Sequence, residues 1–270
     1  MGTLVVRTNE SVASTGGLAV APITRVQYEG GPSVIEVGGV RSRRNTPELD
    51  PGHILNVSFG GFENVAAFKN FFLFGFTSLT SVDLSPFSNV TSVGNGFMTR
   101  CSALTSIDIT ALRNVTTIGN QFLWCCSSLT SIDLKPLGNA TSIGDNFMLG
   151  CTSLCTVDVG ALSKLTIIPD EFMGDCPSLT SFDLSSLSNV TEVGNEFLGG
   201  CTALTTIDLL PFNTVTAIGN RFLGGCTSLK EVDVTPLTSV VTVGYGFMDG
   251  LKYLLDYCTW HPFIPPHPAH

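Results

Sequence analysis

The chain has 270 residues, a net charge of −9 and a hydrophobic fraction of 43%. A negative chain without a basic stripe argues against nucleic-acid binding, because phosphates are neutralised by Lys and Arg. No apolar run reaches the ~18 residues of a membrane span. Only 13% of the residues are charged, so Ser, Thr and Asn must supply much of the polar surface.

The first 50 residues show no regular period. Residues 4–6 and 33–37 are apolar enough to predict short strands, with Gly-rich turns between them. We expect residues 1–50 to form an N-terminal cap and the basic stretch 41–44 to be a solvated loop. No charged start followed by an apolar block marks a signal peptide. That absence favours a cytoplasmic location, with the cell surface as the alternative.

Residues 51–250 repeat with a period of 25. Eight phenylalanines mark the period: Phe72, Phe97, Phe122, Phe147, Phe172, Phe197, Phe222 and Phe247. A fixed period of this length is typical of a solenoid, in which each repeat buries its apolar edge against the next one. The first repeat, 51–75, is degenerate and rich in phenylalanine, which suits a capping repeat. The Pro-rich tail, 251–270, does not continue the pattern, because proline removes donors from a strand ladder.

Each repeat divides into short extended pieces and turns. Counted from Cys101 as position 1, apolar residues at positions 7 and 9 flank one outward residue, which predicts a strand. A second extended piece is expected at positions 14–18. Glycine at position 19 indicates a positive φ or a close backbone approach. Asn or Asp at position 20 predicts the N-cap of a helical turn over positions 20–25.

Cysteine recurs at position 1 of the repeats: Cys101, Cys126, Cys151, Cys176, Cys201 and Cys226. Phe76 fills the same column one repeat earlier, so the column is apolar. We expect buried thiols, which behave as small hydrophobic groups, rather than disulfides. No metal site is expected, because the chain has no Cys-x-x-Cys pair and its histidines lie outside the regular repeats.

The repeat resembles the BspA-like leucine-rich repeat. The residues that match its pattern in order are Cys126, Leu129, Ile132, Leu134, Pro136, Ile143, Gly144 and Phe147. Two extra residues lie between the proline and the second isoleucine, and the small residue before Phe is replaced by varied ones. The resemblance implies a right-handed, β-rich leucine-rich-repeat solenoid with parallel strand ladders and one short helical turn per repeat. It also implies adhesion or protein binding, as in bacterial surface antigens and protozoan expansions, with no catalytic residues.

The sharpest candidate for function is an aspartate column: Asp83, Asp108, Asp133, Asp158, Asp183, Asp208 and Asp233. Stacked rungs place these carboxylates ~4.8 Å apart, and like charges at that distance repel. Hydrogen bonds from neighbouring rungs would offset the repulsion. Alternatively, the column is an acidic strip that recruits basic protein segments or cations. We expect solvent exposure and raised pKa values.

A second candidate is a column of N-x-[ST] sequons at Asn89, Asn114, Asn139 and Asn189. These asparagines are glycosylation acceptors in a secreted chain, or turn residues that bond to backbone.

The outward strand positions hardly vary between repeats, and no catalytic constellation or cofactor motif is visible. The sequence therefore predicts a non-enzymatic protein that binds an unidentified protein partner and needs no cofactor. The alternative is an adhesive or structural role at a cell surface.

Overall fold

The computed structural model describes residues 3–7, 25–29, 56–60 and 65–251. The described residues form a β-rich solenoid whose short parallel strands stack from one repeat, or rung, to the next. The strands are β1 Thr3–Arg7, β2 Arg25–Glu29, β3 Asn56–Gly60, β4 Ala67–Phe68, β5 Ser81–Val82, β6 Ser92–Val93, β7 Thr117–Ile118, β8 Ser142–Ile143, β9 Ile167–Ile168, β10 Glu192–Val193, β11 Ala217–Ile218 and β12 Thr242–Val243.

A front ladder joins β1, β2, β3 and β5 in that order, all parallel. The strand predicted at residues 4–6 is present as β1, whereas β2 was not foreseen. The strand predicted at 33–37 lies outside the described residues, and so does the tail beyond 251. The cap over 1–50 therefore remains a prediction.

The helical turn of the repeat lies elsewhere than predicted. Within residues 65–251, six 3₁₀ helices occupy positions 10–12, or 10–14 in one rung: Ser85–Phe87, Thr110–Asn114, Lys135–Leu137, Gly160–Leu162, Ser185–Leu187 and Leu210–Phe212. Proline at the start of three of them presets a helical φ and lacks an N–H that would be unpaired there. The placement of a helical turn at positions 20–25 is wrong, because those residues form non-helical turns.

The core is a continuous column of side chains shared between rungs. The phenylalanine rings stack with centroids 5.2–6.2 Å apart from Phe72 to Phe247. All are fully buried except Phe247, which is half-buried in the last described rung. The predicted buried column is confirmed, and it fixes the registration of successive rungs.

The back ladder is divided into two sheets, β4-β6-β7-β8 and β9-β10-β11-β12. Elsewhere the N–H of the residue at position 19 bonds to the previous rung, as Gly144 does to the carbonyl of Ile118 at 2.9 Å. Pro169 occupies that position between β8 and β9. Because proline has no N–H, it makes no such bond to Ile143, and the ladder is interrupted there.

Candidate functional site

The aspartate column forms one exposed strip, called here the acidic strip. The Oδ1 atom of each aspartate accepts a hydrogen bond from the backbone N–H two residues later, at 2.8–2.9 Å in all seven rungs. This is an Asx turn that opens the following 3₁₀ segment. The predicted exposure is correct. The predicted donors were wrong, because they come from the same rung and not from the neighbouring rungs.

Local donors also lower the pKa of three carboxylates of the strip. The Thr110 hydroxyl, at 2.6 Å, and the Thr110 N–H lower the pKa of Asp108 below its usual value. The N–H of Ser185 lowers the pKa of Asp183, and the hydroxyl of Thr235 lowers that of Asp233. The expectation of raised pKa values is therefore wrong at these three residues. Nearby donors outweigh repulsion between carboxylates that water screens.

Threonine hydroxyls beside the strip tie its rungs together. Thr130 donates to the carbonyl of Thr105 at 3.3 Å, and Thr205 donates to that of Thr180 at 3.4 Å. Asp133 and Asp158 form a parallel bridge. The strip is thus a regular surface on which each carboxylate is held in one orientation by its own rung.

The cysteine column is buried, as predicted. Each Sγ donates to the backbone carbonyl of the residue 28 positions earlier, at 3.2–3.5 Å. Burial raises the pKa of Cys101 to about 12 and that of Cys226 to about 11. These thiols are protonated packing groups and not nucleophiles.

The sequon asparagines are exposed, and their amides bind backbone. The Nδ2 atoms of Asn114, Asn139 and Asn189 each donate to a carbonyl of the preceding rung at 3.0 Å. The bond orients the side chain along the solenoid, which gives this column a structural role. Glycosylation of these asparagines remains a prediction.

Positions 20–25 form a third ladder, which sequence reasoning missed. At position 20, the side-chain oxygen of one rung accepts the backbone N–H of the next, as Asn95 does from Asn120 at 2.9 Å. The same bond recurs from Asn70 to Tyr245, at 2.7–3.2 Å. The residue at position 20 therefore links rungs and caps no helix.

Glycine at position 19 leaves room for this link. A Cβ on Gly119 would lie 2.7 Å from the backbone nitrogen of Asn95 and closer still to its Oδ1 atom. The glycine column thus reflects a close approach. Of the two alternatives, the structure selects that one over a positive φ.

Along positions 21–25, residues with a positive φ alternate with residues that have a negative φ. Gln121, Leu123 and Cys125 have φ values of 64°, 53° and 56°. Their N–H groups bond alternately to the next rung and to the previous one, for example Gln121 to Asp145 at 2.7 Å and Leu123 to Phe97 at 2.9 Å. The left-handed backbone conformation is unfavourable for a residue that carries a side chain. The hydrogen bonds to the neighbouring rungs stabilise that conformation here.

The exposed and partly exposed side chains at positions 21, 24 and 25 form a surface called here the lateral face. Unlike the acidic strip, it changes from rung to rung. Its members include Phe71, Phe74, Arg100, Gln121, Trp124, Cys125, Leu149, Glu171, Asp175, Glu196 and Arg221. The Arg100 guanidinium lies 5.1 Å from the centre of the Trp124 ring, a cation–π contact. Partial burial and four nearby carboxylates, Glu196 first, raise the pKa of Glu171.

The described residues contain neither a candidate metal site nor a membrane-spanning helix. Within 65–251 and the three described strands before it, His, Cys, Asp and Glu form no group of three or more that suits a metal ion. In the same residues, no helix has the length and apolar character needed to cross a bilayer.

The sequence matches the model of a known repeat family, and several solved repeat proteins are similar to the chain. The model of the BspA type leucine rich repeat region, in six copies, matches residues 61–161 and 137–249. A leucine-rich repeat protein from Eubacterium ventriosum is 15% identical, with 92% of this chain and 79% of that chain covered and a TM-score of 0.49. One from Bacteroides ovatus is 20% identical, with 93% and 85% covered and a TM-score of 0.40.

The functional domain of InlJ from Listeria monocytogenes, which includes a cysteine ladder, is 15% identical. The match covers 86% of this chain and 57% of the InlJ chain, with a TM-score of 0.30. No curated protein matches the sequence significantly. Since the family model covers most of the chain, this protein belongs to the BspA-type leucine-rich repeat family.

Proposed function

We propose that this chain is a non-enzymatic scaffold whose acidic strip binds a basic, extended segment of a protein partner. The observation that supports this most is the repeated Asx turn, with Oδ1 to N–H distances of 2.8–2.9 Å in seven successive rungs. It holds exposed carboxylates in one orientation at a regular spacing. An extended chain with several basic side chains can lie along such a row, because opposite charges then attract at many points at once.

Catalysis needs unlike groups brought together around one reacting atom. The strip instead repeats one group beside threonine and serine hydroxyls. Affinity therefore arises from many weak, equivalent contacts, so that each carboxylate contributes little and the row contributes much. Electrostatic attraction of this kind falls as salt rises.

Binding of a fluorescent lysine-rich peptide, measured by anisotropy, tests the proposal. The test variant carries Asp133→Asn, Asp158→Asn and Asp183→Asn, which keep the Asx oxygen but remove three charges. The matched control removes three charges from the lateral face through Glu171→Gln, Asp175→Asn and Glu196→Gln. We expect the strip variant to bind several-fold more weakly and the control to bind as the natural chain does. Equal weakening in both would show a general charge effect and would overturn the proposal.

A second candidate is an adhesive role at a cell surface, with glycans on the sequon column. It is supported by the exposure of Asn114, Asn139 and Asn189 along one edge of the solenoid. Expression through a eukaryotic secretory pathway, followed by glycosidase treatment, tests it. A mobility shift that is lost in the Asn→Gln variants supports this role, and an unchanged mobility rules it out.

A further inference from the structure

The lateral face has two unlike halves. Its N-terminal half carries Phe71, Arg100 and Trp124, whereas its C-terminal half carries Glu171, Asp175 and Glu196, the last of which pairs with Arg221 at 3.6 Å. The size of the residue at position 24 also changes along the array. Larger residues occur first, at Phe74, Trp124 and Leu149, with the fully buried Thr99 between them, and glycines follow at Gly174, Gly199 and Gly224. A surface of this kind complements itself when a second copy is turned end for end.

We propose that the lateral face is the contact surface of an antiparallel homodimer with its two-fold axis at the rung 126–150. A two-fold axis parallel to the rung strands makes each position face the same position of the second copy. Rung 101–125 then faces rung 151–175 of the second copy, and rung 76–100 faces rung 176–200. Leu149 lies on the axis and faces itself.

In this register one charge pair forms twice. Arg100 extends over Trp124 in the following rung, so its guanidinium lies between rungs 76–100 and 101–125. Asp175 extends over Gly200 in the following rung, so its carboxylate lies between rungs 151–175 and 176–200. These two gaps face each other across the axis. Arg100 of one copy therefore meets Asp175 of the other, and symmetry repeats the pair.

The apolar residues of the face meet near the axis. Trp124 faces Gly174 of the second copy. In each chain Leu149 lies over Gly174, since a Cβ added to that glycine would lie 3.1 Å from the Leu149 Cδ1 atom of the same chain. Trp124 and Leu149 of both copies thus form one apolar centre, as interface cores commonly contain. Farther out, Phe71, which is 44% exposed, faces Arg221 and offers it an aromatic surface.

Charge excludes the parallel arrangement. There the acidic halves would face each other, and like charges across an interface suppress association. Seven rungs, separated by six spacings of ~4.8 Å, give a strip only ~29 Å long. Narrow interfaces of this size belong to weak, reversible complexes, so we expect the dimer to dissociate in the micromolar range.

Sedimentation velocity of the full chain over the micromolar range tests the proposal. We expect a concentration-dependent monomer–dimer equilibrium. Arg100→Asp and Asp175→Arg should each weaken it at least about tenfold, because like charges then meet twice. The double variant, with the two charges exchanged, should restore the dimer. Both substitutions suit the backbone, since each site already carries a side chain at positive φ.

The control is Arg113→Asp, an exposed arginine at position 13 that lies outside the lateral face. It should leave the equilibrium unchanged. A chain that stays monomeric throughout overturns the proposal, and so does a dimer that the single substitutions do not weaken. Failure of the double variant to restore association, with its thermal stability intact, would also overturn it.

Crosslinking tests the register independently. Leu149→Cys is introduced into a chain in which Cys125, Cys155 and Cys258 are serine. A residue on the two-fold axis lies next to its own copy, so mild oxidation should give a covalent dimer on a non-reducing gel. Arg113→Cys in the same background should give none. Equal crosslinking at both sites, or none at Leu149→Cys, would contradict the proposed axis.

Discussion

The backbone N–H of Asn120 donates to the side-chain oxygen of Asn95 at 2.9 Å, and this bond connects two rungs at a corner of the solenoid. The same relationship joins every pair of rungs from residue 70 to residue 245. A hydrogen bond of this kind contributes about 1 kcal/mol. Its repetition makes position 20 a main determinant of how rungs stack.

Replacing one member of this ladder should reveal its contribution. Asn120→Ala leaves the N–H of Asp145 without its acceptor, so we expect a loss of about 1–2 kcal/mol in the free energy of unfolding. Asn120→Asp keeps the oxygen, as Asp145 and Asp170 do naturally, and should cost much less. Urea denaturation followed by circular dichroism measures both. Equal losses would show that the acceptor oxygen is not the stabilising group.

The glycine at position 19 is required by the same link. Gly119→Ala forces a Cβ into the space of the Asn95 backbone and should cost about 3 kcal/mol. Gly138→Ala is the matched control: its φ is −63° and its nearest contact would be 3.4 Å. There we expect a gain of up to about 0.5 kcal/mol, because alanine restricts the unfolded chain. Thermal denaturation of the two variants should shift in opposite directions.

Substitutions of the glycine at position 25 distinguish the cost of a left-handed backbone from the cost of steric crowding. Gly225 has a φ of 77°, and a Cβ added there would meet nothing closer than 3.5 Å. Gly225→Ala should therefore lose about 1 kcal/mol from the left-handed backbone alone. Gly225→Asn should lose less, because asparagine tolerates that conformation better. A larger loss in the asparagine variant would mean that space, and not φ, is limiting.

Two carboxylates should give pH dependences of opposite sign. The folded-state pKa of Asp108 is lowered, so its stabilisation is present above the unfolded pKa and is lost as the pH falls through the folded one. The folded-state pKa of Glu171 is raised, so its ionised form destabilises the fold near neutrality and acid relieves this.

Urea midpoints near neutral pH and below about pH 3 check both signs. Asp108→Asn should be less stable than the natural chain at neutral pH, and Glu171→Gln should be more stable. Both differences should shrink in acid. If the two variants deviate in the same direction at neutral pH, at least one of the assigned causes is wrong.

Sequence reasoning identified the parts of the repeat that depend on burial. Phe122 and Cys126 were predicted to be buried because each belongs to an apolar column that recurs every 25 residues, and both are buried. The strand at Thr117–Ile118 lies within the extended piece predicted at positions 14–18. These features follow from hydrophobic periodicity alone. The exposure of the aspartates followed from the same alternation.

The sequence did not predict the link between rungs at position 20, the positive φ values or the donors to the aspartates. Each depends on which of several possible hydrogen-bond partners a polar group chooses. Asn120 suits a helix N-cap and a link between rungs equally well, and Leu123 gives no sign that its φ is positive. The available signals were indirect. Glycine at position 19 marked the close approach, and proline at position 11 in several repeats marked the start of the 3₁₀ helix. The donors to the aspartates lay two residues away, where an Asx turn places them.

Pro169 has a consequence for the cooperativity of the array. A solenoid unfolds as a row of units coupled to their nearest neighbours, and the boundary between β8 and β9 lacks one of the bonds that every other described boundary of the back ladder has. The coupling across that boundary of the back ladder is therefore weaker by one backbone hydrogen bond. Partial unfolding should divide the chain there into two blocks, with residues before 150 and after 150 exchanging their amide hydrogens at separate rates.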